Sequence, residues 1–160
     1  MIAQFSSIKL TPEEYLAFEE KSSEKHEYVN GEVYAMVGST AKHNTICVNT
    51  VGAINQHLGI SNCRVYMADV KTQLDACNCY YYPDLLVTCD ADDLENATCK
   101  RSPKLIIEVL SPSAEAFDRG KKFADYQTLN SLEEYVLIDT RVNNAADRIR
   151  RLESHSHIGS

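Results

Sequence analysis

The sequence predicts one α/β (α+β) domain, a mixed β-sheet flanked by helices. Three observations lead there. A stretch at helical period, Lys42 to Leu58, puts His43, Cys47, Val51, Ile54 and Leu58 on one face. An Asn30-Gly31 pair sits inside the alternating run HEYVNGEVYAMV, and a two-residue Asn-Gly loop demands the positive φ of a hairpin turn. Finally, PKLIIEVL (103–110) is a nearly continuous apolar run, as expected of a strand covered on both faces.

The elements follow in chain order. Thr11-Pro12-Glu13-Glu14 combines a cap, a proline at the first helical position and a capping-box glutamate, so a short helix runs to about Glu20. The Asn30-Gly31 hairpin gives two antiparallel strands, and the long helix from Lys42 stops at Gly59. CRVYM and VKTQL are short and rich in β-formers, and YYYPDLLV reads as one strand that turns apolar after Pro83. Asp90 to Ser102 is polar enough to be a loop. PKLIIEVL ends at Ser111-Pro112-Ser113, Phe117 to Leu129 forms a helix with Phe123 and Tyr126 inward, and EYVLID is the last clear strand. Residues 1–140 therefore make the domain, and 141–160 read as an irregular polar tail.

Composition narrows the function. The 160 residues carry 16 Lys+Arg against 23 Asp+Glu, a net charge of −7, which argues against binding nucleic acid by charge alone. Carboxylates that hold a divalent cation would also count as negative, so metal-dependent chemistry stays open. No apolar run approaches the ~20 residues of a membrane helix, and MIAQFSSIKL lacks the pattern of a secretory signal, so a cytoplasmic protein that avoids membranes is expected. In that compartment Cys47, Cys63, Cys77, Cys79, Cys89 and Cys99 are read as thiols. Cys77-x-Cys79 is a poor match to the C-x₂₋₄-C pairs of structural zinc sites.

The chemistry centres on Glu108, a carboxylate inside a buried strand, which needs a partner. If 84–88 and 104–108 are antiparallel neighbours, Asp84 and Glu108 meet at one level. Two acids so placed repel unless a cation separates them, and one or two carboxylates with water and phosphate oxygens suit Mg²⁺ or Mn²⁺. The bland alternative pairs these acids with Lys71 or Arg101. Asp69 and Lys71 read as a solvated strand face, and Glu27 and Glu32 flank the hairpin turn where exposed acids are usual.

The ordered set E-Y-x-x-G-E (27–32), His43, Pro83-Asp84, E-V-L-S-P-S (108–113), D-x-x-x-K-x-x-x-Y (Asp118, Lys122, Tyr126) and E-Y-x-L-I-D resembles the Uma-type restriction endonucleases of the PD-(D/E)xK nuclease superfamily. The resemblance spans about residues 9 to 140 and implies a restriction-endonuclease-like core with Asp84 and Glu108 as metal ligands. It implies a Mg²⁺- or Mn²⁺-dependent endonuclease acting on DNA, with Glu27, His43, Asp118 and Tyr126 as accessory residues. In the superfamily's usual motif a lysine follows the second acid by two, and here Leu110 stands there. The resemblance suggests that the lysine has moved to Lys122, with Asp118 one turn earlier able to hold it. It also implies further strand-forming sequence at the carboxyl end, which the polar tail does not display. Cleavage of both DNA strands would require two sites, hence a homodimer. Two other readings remain: a catalytically inactive nuclease-fold module that binds nucleic acid or protein, and an acidic oligomeric scaffold.

Overall fold

Alternation along one strand sorts the interior. In the computed structural model, which describes residues 3–4, 9–142 and 149–153, strand β9 (Pro103–Leu110) sends Ile106 and Leu110 to one side and Ile107 and Val109 to the other. Beside it run β10 (Glu134–Asp139), parallel, and β7 (Leu85–Thr88), antiparallel. With β4 (Arg64–Met67) and β11 (Ile149–Glu153) they complete a five-stranded mixed sheet ordered β11-β10-β9-β7-β4. Ile107, Val109, Val136 and Ile138 pack on Ile46, Cys47, Val51 and Ile54 of α2 (Ala41–Leu58), the helix whose period the sequence displays.

The remaining strands form a second sheet, ordered β1-β3-β2-β6-β5-β8, from β1 (Ala3–Gln4), β2 (His26–Val29), β3 (Glu32–Ala35), β5 (Lys71–Leu74), β6 (Cys79–Tyr81) and β8 (Cys99–Lys100). Asn30 and Gly31 take φ of 47° and 99° between β2 and β3, as the hairpin reading requires. Helix α1 (Pro12–Lys21) carries the full capping box and packs Tyr15 on Tyr28 and Tyr80. Between the sheets Leu74, Tyr81, Leu86, Ile106, Leu110, Tyr126, Tyr135 and Leu137 form the central core. No helix among the described residues is long and apolar enough to cross a membrane.

The structure corrects several local expectations. YYYPDLLV is two strands in different sheets, β6 and β7, parted at Tyr82-Pro83-Asp84; proline cannot donate to a sheet ladder, and the chain changes layer there. Asp90 to Ser102 contains α3 (Ala91–Glu95), capped by Asp90, and β8, because buried Asp93 organises the polar stretch from within. The helix after β9 is two, α4 (Glu115–Arg119) and α5 (Lys121–Tyr126), broken at Gly120, where an added Cβ would lie 3.0 Å from the Ala116 carbonyl oxygen. Part of the tail is regular, since β11 pairs antiparallel with β10; His155 and His157 lie outside the described residues. Cys63 and Cys89 form a disulfide, so the six cysteines are not all thiols. The cause is local: Arg64 pairs with Thr88 on β4 and β7, which brings the flanking cysteines to a Cα separation of 4.0 Å.

Candidate functional site

Antiparallel pairing sets Leu85 opposite Ile107, so the next step brings Asp84 level with Glu108. Their contacts are reciprocal: the Asp84 amide donates to Glu108 Oε2 at 3.2 Å, and the Val109 amide donates to Asp84 Oδ2 at 2.7 Å. From the second sheet, Glu27 on β2 accepts the Tyr82 amide at 3.1 Å. From α5, Lys122 places its ammonium 2.8 Å from Glu108 Oε1, 2.9 Å from Glu27 Oε1 and 3.8 Å from Asp118 Oδ1. From the first turn of α2, His43 Nε2 reaches Asp84 Oδ2 at 3.2 Å. Five elements and one interstrand bend thus converge on one point.

Lys122 is 4% exposed and Glu108 3%, whereas the Asp84 side chain opens to a cleft of about 1000 Å³. Burial pushes the Glu108 carboxyl well above its ordinary range; Lys122 pulls the other way, and Asp118 and Asp84 add repulsion. Burial likewise raises Asp118 to about 6. For Lys122, burial alone would depress the ammonium, but Glu108 and Glu27 outweigh it and hold it well above its usual value. The hydrogen bond to Asp84, helped by Cys47, lifts His43 to about 10. A protonated His43 and Lys122 therefore face four carboxylates, an excess of two negative charges once all four ionise.

That excess and the oxygen donors of Asp84 and Glu108 fit a divalent cation. The alternative partners for these acids are engaged elsewhere: Lys71 donates to the Tyr82 hydroxyl and Arg101 pairs with Asp75. Asp69 pairs with Lys25 on the exposed surface, and Glu32 accepts the Tyr34 hydroxyl.

Of the residues singled out in the sequence, Asp84, Glu108, Lys122, Glu27, His43 and Asp118 come together. Tyr126 lies one layer below, wholly buried against Tyr81 and Tyr135, and its hydroxyl has no hydrogen-bond partner among the described residues. Leu110 occupies the central core, so the place two residues after Glu108 holds packing rather than charge. Sequence reading passed over the Tyr82 and Val109 amides, which no side-chain pattern reveals. It also passed over Cys47, whose sulfur lies 3.7 Å from His43 Nδ1; the i,i+4 spacing from His43 was the available signal.

Comparison with known proteins places the chain in a family and shows its fold in a solved structure. The chain is 42% identical over 132 residues to the uncharacterized protein slr1290 of Synechocystis, covering 82% of this chain and 70% of that one. It is 35% identical over 134 residues to the uncharacterized protein sll1609 of the same organism, covering 81% and 75%. A crystal structure from Anabaena variabilis, described as a "putative nuclease belonging to DUF820", superposes with a TM-score of 0.73 at 18% identity, over 92% of this chain and 82% of the other, and so shares the fold. The family model Uma2, described as "Putative restriction endonuclease", matches residues 12–153, and the chain belongs to that family.

Proposed function

We propose that the cleft is the active site of a metal-dependent endonuclease that hydrolyses DNA phosphodiester bonds. The observation that carries this reading is the place of Lys122. A lysine on a helix delivers its ammonium to Glu108 and Glu27, while Leu110, two residues after Glu108, packs in the core. Asp84 and Glu108 would hold Mg²⁺ or Mn²⁺, and such an ion, when bound, activates water and neutralises charge developing on the phosphate.

The chain's own residues prepare that chemistry. The Asp84 and Val109 amides hold one oxygen of each carboxylate in place. Glu27 and Asp118 keep Lys122 protonated and aimed at Glu108, where its ammonium can meet a scissile phosphate or hold the attacking water. His43 neutralises Asp84 from the wall and limits its repulsion from Glu108. Lys25, Lys42 and Arg141 line the same cleft; Lys25 pairs there with Asp69 and Arg141 with Asp139 and Glu115, so a phosphate backbone entering the cleft would have to compete with those carboxylates for them.

Incubation of supercoiled plasmid with EDTA, Mg²⁺ or Mn²⁺ tests the proposal. Nicked or linear product is expected with either metal and none with EDTA; retention of DNA without cleavage in all three would favour a binding module instead. Because the described residues form one such cleft, double-strand cleavage would be the work of a homodimer. Light scattering at concentrations that linearise plasmid should then report twice the chain mass, and a monomer there would remove the dimer.

A further inference from the structure

A second group of ligating side chains lies away from the cleft, and the nuclease reading does not use it. Cys77 ends the 3-10 turn Asp75–Cys77, Asn78 reverses the chain in the left-handed region with φ of 51°, and Cys79 begins β6. Their sulfurs and the carboxylate of Asp125 on α5 lie within 4.8 Å of one another. The sequence speaks against zinc because a single residue between Cys77 and Cys79, followed by unequal gaps to Cys89 and Cys99, departs from the usual C-x₂₋₄-C pairs. The fold supplies the third ligand from another element. The Asp125 carboxylate is also held in place: its Oδ2 accepts the Tyr81 hydroxyl at 2.5 Å and the Lys121 ammonium at 2.7 Å. Second-layer hydrogen bonds of this kind orient a ligating carboxylate.

Donor type selects the ion. Thiolates are soft ligands that favour Zn²⁺ over Mg²⁺ or Ca²⁺. Two thiolates and one carboxylate beside Lys121 leave two negative charges, which one dication neutralises. Cys79 is buried, while Cys77 and Asp125 are half-buried, so an ion could enter from solvent and keep a water as its fourth ligand. We propose that Cys77, Cys79 and Asp125 form a zinc site that ties β6 to α5, separate from the nuclease cleft. The tether has a consequence for its neighbour: the Tyr81 ring between them stands 5.4 Å from the Lys122 ammonium.

The test uses the chain with its Cys63–Cys89 disulfide intact and its other cysteines kept as thiols, in a Cys47→Ala background, which removes the sulfur that stands with His43 and Asp84. Titration with Co²⁺ as a spectroscopic stand-in for Zn²⁺ should give a thiolate charge-transfer band at one equivalent. The band should disappear in Cys77→Ser, and Asp125→Asn should weaken Zn²⁺ binding by about 10-fold or more. A measurement needing no substitution accompanies it: Zn²⁺ should slow alkylation of Cys77 and Cys79 in the parent chain, followed by peptide mapping, while Mg²⁺ should not. Absence of the band, its persistence in Cys77→Ser, or alkylation indifferent to Zn²⁺ would overturn the site. None of these readouts depends on DNA cleavage, so the zinc site and the nuclease reading stand or fall separately.

Discussion

Two regions of this molecule bury an aspartate or glutamate near a lysine, and they solve the problem in opposite ways. Around Asp93 every demand is met locally. Its carboxylate accepts from the Thr88 hydroxyl at 2.9 Å and from the Arg101 and Ser102 amides at 2.7 and 2.9 Å. Lys100 donates to the Asp93 and Asn96 carbonyls and covers the Tyr66 ring. At the cleft, by contrast, Glu108, Glu27 and Asp118 share one ammonium and crowd one another, and the space beside them is open. A satisfied buried charge organises a fold, and an unsatisfied one facing a cavity is prepared for a ligand.

Substitution should separate the two regions sharply. Asp84→Asn and Glu108→Gln should each lower Mg²⁺-dependent plasmid cleavage by about 10³-fold or more, since either removes a negative charge the cation needs. Melting in EDTA should show Glu108→Gln as stable as the parent or more so, because ionising Glu108 inside the protein is costly. Asp93→Asn should do the reverse: a loss of about 3 kcal/mol of stability in denaturant titrations, with cleavage per folded molecule unchanged. An Asp93 variant that melts like the parent would break the comparison.

Lys122→Met falls between these extremes. Cleavage should drop by roughly 10²-fold or more. From sequence alone the fold would be expected to survive unaffected, but the burial of Lys122 among three acids changes that expectation. Removing it strands Glu108 and Glu27 without their cation, at a cost of about 3 kcal/mol near neutral pH in metal-free buffer. Lowering the pH to 5 should recover part of the loss as the acids take up protons, and thermal melts across that range would show it.

The smallest effect concerns Asp118. Its carboxyl is raised from 3.8 to about 6, mainly by burial, so the folded state holds the proton more tightly than the unfolded chain. The stability this contributes is complete below about pH 4 and disappears as pH rises through 6. Asp118→Asn cannot ionise, so it should match the metal-free parent near pH 4 and exceed it by on the order of 2 kcal/mol at pH 7. A stability difference independent of pH would place Asp118 with Asp93.

The contrast also explains what the sequence could and could not disclose. Glu108 announces itself as a charge within PKLIIEVL, and strand alternation with antiparallel pairing is enough to bring Asp84 to it. Helix period places Asp118 and Lys122 on one face, and that relation survives the break at Gly120. Asp93 was missed because its partners are two backbone amides and a hydroxyl, so its surroundings read as an ordinary polar loop. The division of YYYPDLLV between two sheets, the Cys63–Cys89 disulfide and strand β11 all depend on contacts between distant segments, on which local propensity is silent.

The parallel pairing of β9 and β10 has one further consequence. A chain leaving β9 must travel back along the sheet before β10 can start, and α4 and α5 are that return path. A lysine on the strand itself would be fixed by hydrogen-bond register, which cannot change by less than a whole residue. A lysine on the return path is fixed by how one short helix rests, through Phe123 and Tyr126, on Tyr81 and Tyr135, so its position can be adjusted in fractions of an ångström by changing aromatic side chains while the sheet stays as it is.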